Sequence, residues 1–143
     1  LTFPKTLNQK LKDNKVLWVK SSNFALGMLV IKPMLESLSK IGKITDDFSF
    51  SLSEIHHTKK LDSPSGTALS WKEWLGMDLP IASKRIGDEL GTHQIILKTP
   101  YEEITLIHKT LDRKIFAQGA LLAAETVLKT KKKGLLDFRE LFL

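Results

Sequence analysis

One segment concentrates the residue types that do chemistry: Glu54-Ile55-His56-His57-Thr58-Lys59-Lys60-Leu61-Asp62-Ser63-Pro64-Ser65-Gly66-Thr67-Ala68. Two histidines and two lysines leave a strand, and a helix start follows within ten residues. The first turn of a helix offers unpaired N–H groups and a partial positive charge, which together bind anions. Gly66 lets the backbone approach a ligand closely, and Thr67 adds a hydroxyl. His57 and Lys60 bring further positive charge, so a small carboxylate or phosphate is the natural guest. Histidine titrates near neutrality and can move a proton. Lysine can do the same where its surroundings lower its pKa.

Other readings of the same residues stay open. The histidines can be ordinary loop residues and Ser65-Gly66-Thr67 only a helix cap. A hydrolase triad of Ser65, His56 and Asp62 is possible on composition, but the nucleophile-elbow pattern is missing. No metal site is expected. The chain has no cysteine, adjacent histidines on a strand point to opposite faces, and no helical pair of histidines four apart exists.

The surrounding pattern predicts the elements that position this segment. Val16 to Lys20 reads as a short strand and Ser21-Ser22-Asn23 as a loop. Leu26 to Ile41 has helical periodicity, with Pro33 either kinking it or opening a new first turn. Phe48, Phe50 and Leu52 alternate with serines, a half-buried strand that leads into Glu54. Thr67 to Met77 reads as a helix capped near Ser65. Gln94 to Thr99 and Glu102 to Lys109 read as a hairpin. A long helix runs from about Asp112 to Lys129 and ends by Gly134, and Leu135 to Leu143 is a short amphipathic tail. This order suits an α+β fold: a mixed, largely antiparallel sheet with helices on one face.

Length and composition agree. The chain has 143 residues, 42% hydrophobic and 27% charged, enough for a core and too apolar for disorder. The net charge is +6, but the excess lies at the ends, in five lysines within residues 1–20 and in Lys129, Lys131, Lys132 and Lys133. Lysines near a helix C-terminus suit its dipole, and no basic reading face is evident, so nucleic acid is not an expected partner. No apolar run could span a bilayer, and no secretion signal opens the chain, so a cytoplasmic location is expected.

The segment from Glu54 to Ala68 resembles the signature of the 4-hydroxy-tetrahydrodipicolinate reductase (dihydrodipicolinate reductase) family, with Ser63 where alanine is usual. The resemblance extends to Ser21-Ser22-Asn23-Phe24-Ala25-Leu26-Gly27, to Arg85-Ile86-Gly87-Asp88 through Gly91-Thr92-His93, and to Glu103, His108, Arg113, Phe116, Gly119-Ala120, Ala123-Ala124 and Gly134-Leu135-Leu136-Asp137-Phe138.

The resemblance implies hydride transfer from NADH or NADPH to a cyclic dicarboxylate in lysine and diaminopimelate biosynthesis. His56 and Lys60 would be the proton-handling residues. His57, Lys60, Gly66 and Thr67 would hold the substrate's carboxylates. Ser21, Ser22, Asn23 and Phe24 would touch the nicotinamide end of the cofactor. A homotetramer assembled through the sheet is implied as well. Residues 1–22 would be the end of a Rossmann-type nucleotide-binding domain. Residues 23–143 would form the substrate-binding and oligomerisation domain, with a tail returning towards the first. The Gly-rich phosphate-binding turn is not in this sequence: no two of its glycines are closer than four apart. The competing expectation is a truncated, non-catalytic carboxylate-binding and assembly module.

Overall fold

Leu7 and Leu11 sit one helical turn apart, and the first helix, α1 (Leu7–Asp13), buries Leu11. The computed structural model describes residues 3–42, 44 and 47–142, so Leu1, Thr2 and Leu143 lie outside the described residues. After α1 come β1 (Leu17–Lys20), α2 (Gly27–Ile41), β2 (Ser49–His56), α3 (Gly66–Leu75), β3 (Ile81–Arg85), β4 (Thr92–Lys98), β5 (Glu103–Lys109), α4 (Lys114–Lys129) and β6 (Gly134–Asp137). A 3-10 turn, Phe138–Leu141, follows.

The chain divides into two units. One is a single stretch, Gly27–Arg113; the other is built from the segment ending at Leu26 and the segment starting at Lys114.

In the Gly27–Arg113 unit a four-stranded sheet runs in the order β3-β2-β4-β5. β2 pairs in parallel with β3 and antiparallel with β4, and β5 pairs antiparallel with β4. The sheet is therefore mixed and mainly antiparallel, as the alternation of its strands predicts. Side chains alternate across a strand, so Leu52, Glu54 and His56 share one face with His93, Ile95 and Leu97. These six are all buried. Met28, Ile31 and Leu35 of α2 and Ala68, Trp71 and Leu75 of α3 are the helical part of this core. Pro33 lies inside one continuous helix rather than at a break. The strand β3 escapes the sequence reading because five residues of Ile-Ala-Ser-Lys-Arg carry too little pattern, and its pairing with β2 is non-local.

In the other unit β1 and β6 pair in parallel, Leu17 opposite Gly134. α4 ends at Lys129, where the sequence reading puts its end, but Gly134 is not its terminator: at φ +103 it opens a strand. The expected amphipathic tail is likewise a strand followed by a 3-10 turn, fixed by its distant partner β1 and by the Asn8 Oδ1 that accepts the Leu135 N–H at 2.9 Å. Phe138 is fully buried, with the rings of Phe24 and Phe142 at 5.1 and 5.2 Å. At Gly119 a Cβ would collide with the Phe24 carbonyl, so only glycine admits this approach of α4.

Candidate active site

The site is assembled where β2 ends. Sheet register places Ser83, Glu54, His93 and His108 side by side in one row across four strands, with His56 and Arg85 paired one step further along. A polar row in an apolar face is costly unless its members satisfy one another.

Glu54 is the hub. It is 1% exposed. Its Oε1 accepts the Ser65 N–H at 3.0 Å and an Arg85 Nη2–H at 3.1 Å. Its Oε2 lies 3.0 Å from His56 Nδ1 and 3.8 Å from His93 Nε2. Neither Oε2 nor His56 Nδ1 makes an aligned hydrogen bond, so the 3.0 Å approach is an electrostatic contact. Burial alone would raise the Glu54 carboxyl, but the hydrogen bonds from Ser65 and Arg85, with the Ser83 hydroxyl nearby, outweigh it and hold the group below its ordinary value. Glu54 is therefore a buried anion at neutral pH.

The histidines stay neutral beside it. Burial pushes His56 down; Glu54 pulls it back up, and the positive charges of Lys60 and Arg85 push it further down. His93 is pushed down to about 3, by burial first and then by His56. Its Nε2 lies 3.1 Å from Ser65 Oγ, and its ring centroid is 5.0 Å from that of His56 and 5.7 Å from that of Trp71. Burial also lowers His108, which is half-buried. The His56 Nδ1 faces the Glu54 carboxylate, an approach that favours the tautomer protonated at Nδ1.

Ser65 caps α3: its Oγ accepts the Ala68 N–H at 3.2 Å. Gly66 and Thr67 form the first turn, which carries no acidic residue to neutralise its positive end. In the loop between β2 and α3, the Lys60 ammonium pairs with Asp62 Oδ1 at 2.7 Å, and this hydrogen bond holds the Asp62 carboxyl below its usual range. His57 is half-buried just past the strand. One loop and its flanking ends thus carry His56, His57, Lys60, Gly66 and Thr67, all in the Gly27–Arg113 unit.

Ser21 to Phe24 belong to the other unit. There they form a tight turn. The Ser21 hydroxyl donates to the Asn23 carbonyl at 2.6 Å, and the Asn23 side chain accepts the Ala25 N–H at 2.8 Å.

Ser65, His56 and Asp62 do not form a hydrolytic triad, because Ser65 meets His93 and Asp62 meets Lys60. One atom each from Glu54, His56 and His93 lies within 4.8 Å of the others, close enough for a metal ion. The Arg85 guanidinium on the same carboxylate opposes a cation there.

The sequence reading names Ser65 as a helix cap or triad member and Arg85 and His93 only within the family resemblance, and gives none of the three a role in the dicarboxylate site. His93 faces Glu54 only through the register of β2 with β4. Apart from the family resemblance, its sequence signal is that alternation from Ile95 and Leu97 backwards puts it on the core face.

Residues 27–142 match the family model described as "Dihydrodipicolinate reductase, C-terminus". The chain belongs to this family. Two curated relatives, both named 4-hydroxy-tetrahydrodipicolinate reductase, are similar to it. The protein of Thermosipho africanus is 39% identical over 129 residues, covering 90% of this chain and 58% of the relative. That of Bdellovibrio bacteriovorus is 38% identical over 141 residues, covering 95% and 57%. The chain thus spans a little over half the length of these reductases. A dipicolinate-bound dihydrodipicolinate reductase from Paenisporosarcina sp. TG-14 has the same fold, at TM-score 0.65 and 23% identity, over 92% of this chain and 56% of that one. The cluster around Glu54 falls within the matched residues, and Ser21 to Phe24 lie just before them. Among the described residues, no helix is long and apolar enough to cross a membrane.

Proposed function

We propose that the Gly27–Arg113 unit is the substrate-binding part of a 4-hydroxy-tetrahydrodipicolinate reductase, acting in lysine and diaminopimelate biosynthesis in the cytoplasm. One observation carries the reading: a neutral histidine, a buried carboxylate, a lysine and a helix N-terminus converge at one strand end. His57, Lys60, Gly66 and Thr67 bind the two carboxylates of the cyclic substrate. NADH or NADPH, when bound, supplies the hydride. Replacing a ring hydroxyl by hydride expels hydroxide, which needs a proton to leave as water. Lys60 donates that one proton as its ammonium, and His56 takes up and returns a proton at Nε2 with no net change while Glu54 faces Nδ1.

The cofactor site is only partly within this sequence. Ser21, Ser22, Asn23 and Phe24 are the residues proposed to meet the nicotinamide end. The closely spaced glycines that cradle a pyrophosphate are not among its residues. In this proposal residues 1–22 are the end of the nucleotide-binding domain, and residues 23–143 bind substrate and assemble the protein. The sheet face away from α2 and α3 carries Ser51, Ser53, Gln94, Ile96 and Ile107, and Ile107 is 54% exposed. That face is proposed to pack in a homotetramer.

The test uses the native-length protein. His56→Ala and Lys60→Ala should each lower turnover by roughly 10²–10⁴-fold, the range for losing a general acid or base, while nicotinamide nucleotide affinity holds. Equal losses of both would refute these roles. A native-length protein that binds pyridine-2,6-dicarboxylate but never turns over would favour the non-catalytic carboxylate-binding and assembly module.

A further inference from the structure

Lys60 sits in a loop, and a loop must be held before its ammonium has a fixed place. The structure shows what holds it. Arg85 stands beside His56 in the parallel register of β2 and β3. Its Nη2 bonds Glu54 Oε1 at 3.1 Å and donates also to the Asp62 carbonyl. Its Nε reaches the Lys60 carbonyl at 3.4 Å, and its Nη1 donates to the Lys84 carbonyl at 2.8 Å. One planar guanidinium therefore spans β3, the buried carboxylate on β2 and two carbonyls of the loop. That needs the rigid fork of five donors, which a lysine does not have. The same Glu54 Oε1 takes the Ser65 N–H at the far end of the loop. The loop is gripped at residues 60 and 62 by Arg85 and at residue 65 by Glu54.

We propose that Glu54 and Arg85 are a pair of positioning residues that clamp the loop from His57 to Ser65. The clamp fixes Lys60 and the start of α3 against His56. Neither member needs to touch substrate. An ion pair that only neutralised buried charge would stabilise the whole unit evenly. A clamp holds one loop and leaves the distant hairpin alone.

The first test needs no ligand. Hydrogen exchange is followed at the Lys60 amide, bonded to the His57 carbonyl at 3.1 Å, and at the Ser65 amide. Amides of the β4–β5 hairpin serve as reference. Arg85→Lys keeps a charge beside Glu54 but loses the fork, and so avoids the unfolding that Arg85→Ala risks. Exchange at both loop amides should rise about tenfold or more, the scale of one lost charge-assisted hydrogen bond, with the hairpin unchanged. Exchange within about twofold of the wild type at the loop, or equal acceleration in the hairpin, would overturn the clamp.

The second test rests on the reductase reading. In the native-length protein, Arg85→Lys should weaken pyridine-2,6-dicarboxylate by about tenfold and leave nucleotide affinity alone. A wild type that fails to bind this dicarboxylate, while Arg85→Lys still frees the loop, strikes the reductase reading and leaves the clamp standing. A wild type that binds it, with neither loop nor affinity altered by Arg85→Lys, strikes the clamp alone.

Discussion

His93 makes the fold sensitive to mild acid. It is 3% exposed and held at about 3, against an ordinary value of 6.5. Between those two values the unfolded chain binds a proton that the folded chain refuses, so stability falls as pH falls below 6.5. From pH 7 to pH 5 the linkage amounts to about 2 kcal/mol for this one group, at about 1.4 kcal/mol per pH unit once the unfolded histidine has titrated. His56 and His108 are shifted the same way and add to the loss. Glu54 and Asp62 do not confuse the window. Their lowered carboxyls contribute stability that is present above the usual carboxylate range and lost only further down. The assay is urea unfolding at both pH values, on the wild type and on His93→Gln, whose amide can still meet Ser65. The wild type should lose about 2 kcal/mol more than the variant on acidification, with the urea slope unchanged. Equal losses in both proteins would refute the claim that His93 is buried neutral.

Three further perturbations have clear expected outcomes. Ser65→Ala removes the α3 cap and the partner of His93, and should cost about 1–2 kcal/mol in urea unfolding. Gly91→Ala places a Cβ 3.0 Å from His56 Nε2 at φ +143, so it should lower both stability and pyridine-2,6-dicarboxylate affinity; unchanged values in both would refute the close approach. Trp71→Ala empties the space beside His93 and should cost about 3–5 kcal/mol, seen as a lower thermal midpoint.

Much of this was legible in the residues, for local reasons. The Ser-Phe alternation marked β2, Ser65 marked the start of α3, and the Glu54–Ala68 motif marked the loop. What stayed hidden depends on partners far along the chain. β3 and β6 are five and four residues long, and each is a strand because another strand pairs with it. His93 became a site residue by lying opposite Glu54, and Arg85 by standing beside His56. Register is set by tertiary contact, and a single sequence does not record it. Glu54 could be suspected of steering His56, since the two share a strand face. Its hold on Ser65 and Arg85 could not.

The pairing of β1 with β6 has a consequence for how the molecule is made. Leu17 waits for Gly134. As the chain leaves the ribosome, everything from Gly27 to Arg113 has already emerged and can find its own partners. Until Gly134 to Asp137 emerge, the β6 side of β1 is unpaired. Closing so long a loop costs little more than closing a shorter one, about 0.6 kcal/mol for each doubling of length. The delay is therefore a matter of order and not of affinity. A message broken after the codon for Lys129 would yield a chain with every strand of the four-stranded sheet but without the β6 that pairs with β1.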